Sequence, residues 1–338
     1  MKSPSKYISF DINNERYLNY NKVLRREFPE RTQKISINAG FTCPNRDGSK
    51  GNGGCTYCNN LTFSPDYCQS AKSVSEQVKE GIVFFHHKYK AQYYLAYFQS
   101  YTNTYDSIDK LKSIYNQALT YPGVVGLVVG TRPDCVNDEL LDYFAELAKT
   151  KYVMIEYGIE STNDETLKFI NRGHDFASAT KAILETASRG IHTGAHIILG
   201  LPNENRETIL SHADKLSELP IDSLKIHQLQ LVRGTKMAQQ YTENPEWFQL
   251  YSADEFIELA IDFLERLSPR MAVERFVSQS PKELLIAPDW GLKNFEFVAK
   301  LEKRLIERDS WQGKLAMTPK PPTSPPTLSK YEEGGKGA

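Results

Sequence analysis

Lys34 to Gly40, KISINAG, runs without a break into Phe41 to Asn60, FTCPNRDGSKGNGGCTYCNN, and this junction decides how the chain is read. KISINAG is short, rich in β-branched residues and closed by a glycine, so it predicts a strand. The loop after it carries Cys43, then eleven residues, Cys55, two residues and Cys58. Glycines at 48, 51, 53 and 54 let backbone wrap closely around a bound group. In α/β proteins the loops beyond the C-terminal ends of strands are where ligands meet the fold.

Outward from this junction, the pattern repeats. Strand-like runs follow at Tyr93–Gln99, Gly123–Gly130, Tyr152–Glu160, His192–Leu201 and Ser223–Val232. Amphipathic helical stretches alternate with them at Ser73–His87, Ser107–Thr120, Asn137–Lys149, Asn163–Ile170, Ala177–Arg189 and Glu207–Glu218. Six strands with helical crossovers imply a parallel sheet, either open or bent into an incomplete barrel. The expected organisation is a lead-in segment over 1–33, a core over 34–235 and a mostly helical extension over 236–317. That extension has helices at Ala253–Leu267 and Phe295–Arg308 and one strand, Met271–Val277. Residues 318–338 hold five prolines between Pro319 and Pro326 and then a Gly/Lys/Glu tract, which predicts disorder.

Composition narrows the class. The 338 residues are 40% hydrophobic and 25% charged, an ordinary globular mixture that excludes a collagen-like or wholly disordered chain. Forty-one basic residues against 42 acidic ones leave a formal charge of −1, so no global basic excess advertises nucleic acid. The opening MKSPSKYISFDINNERY has no apolar signal region and no run reaches the roughly 18 residues of a membrane span, so a cytoplasmic protein without membrane contact is expected. Five cysteines in such a chain point away from disulfides and towards metal or redox chemistry. Two readings of the cysteine loop stand at this point. A structural zinc site needs a fourth ligand, which Cys68, His86 or His87 could supply, whereas three cysteines on a cubane [4Fe–4S] cluster leave one iron open.

The words around the cysteines are more specific. Cys-x-aromatic-Cys with Tyr57 in the middle, in the loop after strand one of a βα-repeat chain, resembles the radical S-adenosylmethionine (SAM) enzymes. Eleven residues rather than three separate the first two cysteines, a departure shared with the catalytic subunit of the eukaryotic elongator complex. INAGFTCPNRDG, GGCTYCNN, AYFQSYTNTY, VGTRPDC, IEYGIES, INRGHD, HIILGLP and LKIHQLQLVRGT together resemble the YtqA/YhcC group of bacterial radical SAM proteins, from about Arg16 to Gly313. The resemblance implies a partial (β/α)6 TIM-type barrel and a [4Fe–4S] cluster on Cys43, Cys55 and Cys58. It implies SAM bound at the open iron and cleaved to a 5′-deoxyadenosyl radical, with an electron donor such as a flavodoxin or ferredoxin. Cys135 then reads as a small buried hydrophobe, and with Cys68 it is too few for a second cluster.

Site residues follow from the same segments. Tyr57 sits between two ligands. Gln99 and Ser100 stand where relatives carry a Gly-Gly-Glu-like stretch, and the Gln99 amide oxygen can accept from the SAM ammonium. Glu156, Gly158 and Glu160 share one strand face; Glu160 and Ser161 lie at the strand end, and Arg172 can pair with the methionine carboxylate. Gly200 and Pro202 shape the loop expected at the adenine. Lys225 and His227 share a face of the sixth strand, and His227 is the acid–base candidate at neutral pH. Arg132, Lys225 and Arg233 are candidate contacts to substrate.

The resemblance leaves the substrate open. One class is RNA: the group is linked by resemblance to the tRNA wobble uridine, whose carboxymethylaminomethyl side chain is converted towards an aminomethyl or methylaminomethyl form. Basic residues at Lys22, Arg25, Arg26, Arg31 and Lys34, and at Lys300, Lys303, Arg304 and Arg308, agree with it, although acids are interspersed in both segments. Tyr93, Tyr94, Tyr97, Tyr101 and Tyr105 could stack a base. A small metabolite or peptide is the second class. A zinc-stapled RNA-binding module is a reading outside enzyme chemistry altogether.

Overall fold

The computed structural model describes residues 10–316 apart from 13, 63, 64 and 89–92. The expected proline-rich disordered tail lies outside the described residues. In chain order the elements are α1 (Tyr20–Glu27), β1 (Thr32–Ile37), α2 (Val74–Lys88), β2 (Tyr93–Phe98), α3 (Ile108–Leu119), β3 (Val124–Thr131), α4 (Asp138–Ala148), β4 (Tyr152–Glu160), α5 (Asp164–Phe169), α6 (Phe176–Ser188), β5 (His192–Leu199) and α7 (Arg206–Ser217). Then come β6 (Ser223–Gln228), β7 (Leu231–Val232), α8 (Lys236–Glu243), α9 (Ala253–Arg266), β8 (Ala272–Arg275), β9 (Leu285–Ala287) and α10 (Asn294–Glu307).

The main sheet has seven strands in the order β1-β2-β3-β4-β5-β6-β8, and every pairing is parallel. Sequential order with helical crossovers curls such a sheet into a partial barrel with its helices outside. Two expectations are corrected. The strand read inside the C-terminal extension completes the barrel sheet beside β6. The sixth strand ends at Gln228 rather than Val232, because the chain leaves the sheet there and Leu231–Val232 pairs antiparallel with Leu285–Ala287.

Alternation divides the sheet into two walls. On β4, Val153, Ile155, Tyr157 and Ile159 face the helices, and on β5 Ala195, Ile197 and Leu199 do the same. They pack against Leu141 and Phe144 of α4, Ile183 of α6 and Ile209 of α7. Helix starts are capped as their sequences suggest: the Asn137 side chain accepts from Leu140 N, Asp175 from Ser178 N, and Ser252 with Glu255 forms a capping box. Gly126 is required where β3 passes β4, since a Cβ there would lie 2.1 Å from the Tyr152 carbonyl oxygen.

The C-terminal region closes over the outside. Phe256 of α9 packs at a tilt against Trp290 and against Phe297 of α10 at centroid distances of 5.4 and 5.9 Å. Arg308 pairs with Glu258, Asp262 and Glu265 of α9, and Arg304 pairs with Glu258 and Glu307. Lys300 faces Asp254 at 3.7 Å, and Lys303 faces Glu307. Lys300, Arg304 and Arg308 therefore clasp α9, while Lys303 pairs within its own helix, so the acids interspersed in this segment and in α9 take up its basic residues. Gln312 joins the two ends of the described chain: its Oε1 accepts from Leu18 N at 2.9 Å, and its backbone N–H donates to the Arg16 carbonyl.

Candidate active site

The cysteine loop takes its shape from the segment after α5. Asn45, 2% exposed, donates through Nδ2 to the Asn171 carbonyl at 2.6 Å. Asn171 Nδ2 donates back to the carbonyls of Asn52 and Gly54. Thr56 N–H donates to the Ile170 carbonyl, and Met237 N–H at the start of α8 donates to the Thr56 carbonyl. These bonds fix a glycine-rich loop that has no regular ladder of its own, so its backbone polar groups are met by neighbours. The INRGHD words in the sequence thus hold the cysteine words in place.

Cys43, Cys55 and Cys58 are free thiols on the wall of one open cavity of about 1320 Å³, mouth included. Burial pushes the Cys58 thiol up to about 12, and Cys55 adds to the rise. A thiol so placed ionises on binding a metal centre. Arg172 lies against this group: Nη1 is 3.5 Å from Cys55 Sγ, Nη2 donates to the Gly158 carbonyl, and Glu160 is 3.8 Å away. A Cβ at Gly158 would lie 2.6 Å from Glu160 Oε1 and 2.7 Å from Arg172 Nη2, so any side chain there displaces the ends of those two residues. Cys68 is elsewhere, buried in the core that holds Tyr67 and Val78, and His86 is exposed on α2. Among the described residues no three His, Cys, Asp or Glu side chains converge as a single-ion site.

The barrel interior is ionic. Glu156, 1% exposed, accepts from Lys34 Nζ at 2.6 Å and Lys225 Nζ at 2.7 Å, and its Oε2 lies 3.1 Å from His196 Nε2. Lys34 and Lys225 both reach Glu274, at 2.7 and 3.3 Å. Against the cost of burial, the two ammonium groups hold the Glu156 carboxyl well below its usual range. Burial pulls Lys225 down to about 8, and Lys34 and Arg275 act in the same direction. Burial, with Arg275 next, drives His227 well below its ordinary value, so its imidazole is neutral. Its Nε2 is buried without a hydrogen-bond partner among the described residues.

The structure brings most of the expected residues to this cavity. Tyr57, Gln99, Arg132, Glu156, Glu160, Arg172, Lys225 and His227 line it with the three cysteines. Their partners refine the roles given to them. Glu156 belongs to the buried ion network, while Arg172 is turned on Cys55 and Gly158. Arg132 is closed by Asp134 at 2.9 and 3.0 Å and by the Arg172 carbonyl at 2.7 Å, so its fork is not free for an anion of the substrate. Five others lie off the wall. Ser100 is buried behind it, and Ser161 donates to Glu204 on the far side. Gly200, at φ +92°, turns against Tyr251, and Pro202 is buried beyond it. Arg233 is exposed, and only its carbonyl reaches this region, accepting from Asn59.

Sequence reasoning missed His196 and Arg275, and read Ile198 as plain core; all three line the cavity. The period of two on β5, counted inwards from Gly194, would have reached His196 and then Ile198.

Comparison with known proteins agrees with this geometry. Residues 47–216 match the Radical SAM superfamily, and residues 221–307 match the Radical_SAM C-terminal domain. YtqA of Bacillus subtilis is 35% identical over 304 residues, 89% of this chain and 93% of its own. The chain belongs to the radical SAM superfamily. The radical SAM fold is also seen in an archaeal Elp3 from Methanocaldococcus infernus, which superposes with a TM-score of 0.63 at 15% identity, covering 83% of this chain and 64% of that one. A tRNA uridine(34) acetyltransferase of Methanocaldococcus jannaschii is 24% identical over 149 residues, 43% of this chain and 26% of its own length.

As a radical SAM enzyme the protein is implied by its family to use a [4Fe–4S] cluster and SAM, and the cavity fits both. Three thiols share one wall. Thr102 Oγ1 and Arg172 Nε, both buried without partners among the described residues, border the same space. Tyr57 and Ile198 supply apolar surface of the kind that encloses a flat ring. No helix among the described residues is long and apolar enough to cross a membrane.

Proposed function

We propose that Cys43, Cys55 and Cys58 ligate a [4Fe–4S] cluster, that SAM binds beside it in the barrel, and that the substrate is the wobble-uridine side chain of tRNA. When bound, the cluster and SAM supply an electron and a hydrogen-abstracting radical. The chain's own groups position and shield this chemistry. Arg172 holds the Cys55 sulfur in a cationic setting and is kept there by the Gly158 carbonyl and Glu160. Glu160, with its backbone at φ +72°, turns its carboxylate into the cavity, where it accepts from the SAM ammonium or ribose hydroxyls. Gln99 offers an amide oxygen from the adjacent wall. Neutral His227 has a ring nitrogen able to take or pass a proton on the substrate side.

The observation that carries the reading is the meeting of three free thiols and Arg172 on one cavity wall of a radical SAM barrel. Three features support RNA. A curated relative is named for tRNA uridine(34), and Tyr101 lines the cavity where a base could stack. Arg25 and Arg26, exposed in the last turn of α1, provide cations for a phosphate backbone.

Two measurements test it. Anaerobically reconstituted protein should form 5′-deoxyadenosine from SAM with a strong reductant; zinc in place of iron, with no cleavage, would overturn the radical chemistry. Nucleosides from tRNA of cells lacking the gene should retain the carboxymethylaminomethyl uridine. An unchanged wobble-uridine profile would remove RNA and leave a radical enzyme of a metabolite or peptide.

A further inference from the structure

We propose that Arg275 is a substrate-binding residue, and that the group it holds is a single carboxylate in the recess that adjoins the cysteine-lined cavity. The placement begins with a fault in the β6–β8 ladder. Leu224 pairs with Val273, but Lys225 pairs with Arg275, so Glu274 and Arg275 together answer one position. A bulge of this kind re-aims a side chain that strict alternation would send to the opposite face. Here both side chains reach the interior: Glu274 pairs with Lys34 and Lys225, while Arg275 borders the main cavity and an adjoining recess.

Charge then separates Arg275 from its neighbours. Lys34 and Lys225 are matched by Glu156 and Glu274, and His196 leans on Glu156. Among the described residues no hydrogen bond or ion pair closes the Arg275 guanidinium. Burial keeps His227 neutral, so it adds no second cation. The wall therefore carries one uncompensated positive charge, on a planar fork whose geometry matches a carboxylate bidentately. One charge suits a monoanion better than a dianionic phosphate.

Position separates this group from the cofactor. The recess that Arg275 shares with Lys34, Gln99, Lys225 and Ser278 is lined by none of the three cysteines, nor by Arg172 or Glu160. Gln99 is the one proposed SAM contact that this recess shares, and with the cysteines, Arg172 and Glu160 all absent from it we assign an anion held there to the substrate rather than to SAM. The inference rests on the functional reading above in taking that substrate to be the carboxylated side chain of a uridine.

Arginine-selective labelling tests the subsite without turnover. Cluster-loaded protein is treated anaerobically with phenylglyoxal, and the adduct at Arg275 is followed by peptide mass spectrometry, with Arg233 as exposed reference. N-acetylglycinate should slow labelling of Arg275 about tenfold relative to its neutral amide. Absence of protection, equal protection by inorganic phosphate, or protection by SAM alone overturns the proposal. Binding is then compared for anticodon stem-loops carrying carboxymethylaminomethyluridine or its carboxamide. The wild type should prefer the carboxylate about tenfold, Arg275→Gln should lose the preference and Arg275→Lys should keep part of it. If neither stem-loop binds while N-acetylglycinate still protects, the RNA reading fails and the subsite stands. If the RNA is processed and neither preference nor protection depends on Arg275, the subsite fails and the RNA reading stands.

Discussion

Ile155 and Glu156 are consecutive on β4, both almost fully buried, and they face opposite ways. Ile155 meets the apolar underside of the helices, while Glu156 meets two lysines and a histidine. The outer wall is held by non-directional apolar burial. The inner wall is held by charges that are stable only while each is matched. One strand thus serves fold and chemistry on alternate residues, and damage to the two walls should look different.

The largest expected effect lies at the loop above the inner wall. Cys55→Ala should lose iron and sulfide retention and all 5′-deoxyadenosine formation, while far-ultraviolet circular dichroism is unchanged. An intact cluster with full cleavage would overturn the ligand assignment. Next is Glu156→Gln, which leaves Lys34 and Lys225 to share Glu274 alone; breaking a buried pair from one side costs about 3–5 kcal/mol, read from chemical denaturation. Ile155→Ala should cost about 2–5 kcal/mol through the cavity it leaves. Unlike the Glu156 variant, its penalty should be the same at neutral and mildly alkaline pH. A shared pH dependence would erase the distinction between the walls.

The smallest effect concerns Lys225, whose folded pKa of about 8 lies below its ordinary 10.5. Between those values the unfolded chain binds the extra proton, so raising the pH favours the folded state. Relative to Lys225→Met, the wild type should gain stability from about pH 8 at up to roughly 1.4 kcal/mol per unit, while the raised Cys58 thiol pulls the other way above its ordinary 9 in both proteins and cancels in the comparison. Coincident pH profiles would show that the ammonium titrates normally.

The outer wall was legible in the sequence, since apolar residues at periods of two and 3.6 placed the main strands and helices within a residue or two at most ends. The cysteine trio was legible from spacing and neighbouring words. The inner wall was harder to see. Lys34 read as part of a surface basic run, yet it alternates with Ile35 and Ile37, the same period that turns it inward. Glu274 and Arg275 were hidden for another reason: alternation puts adjacent residues on opposite faces, and only the bulge brings both inside. The break after Gln228 was equally silent, because the apolar run continues through Leu229, Leu231 and Val232 into a different sheet.

Strands β1 and β8 share no backbone ladder, yet Lys34 on one reaches Glu274 on the other at 2.7 Å. Paired strands keep a fixed separation of about 4.8 Å, whereas a lysine on its flexible stem spans a range of separations by turning about its own bonds. The curled sheet therefore has the mechanics of a spring clip, stiff along its ladders and compliant where its ends meet. Because that link is largely buried, added salt should loosen it little. Its tension is set by how many cations share the two glutamates.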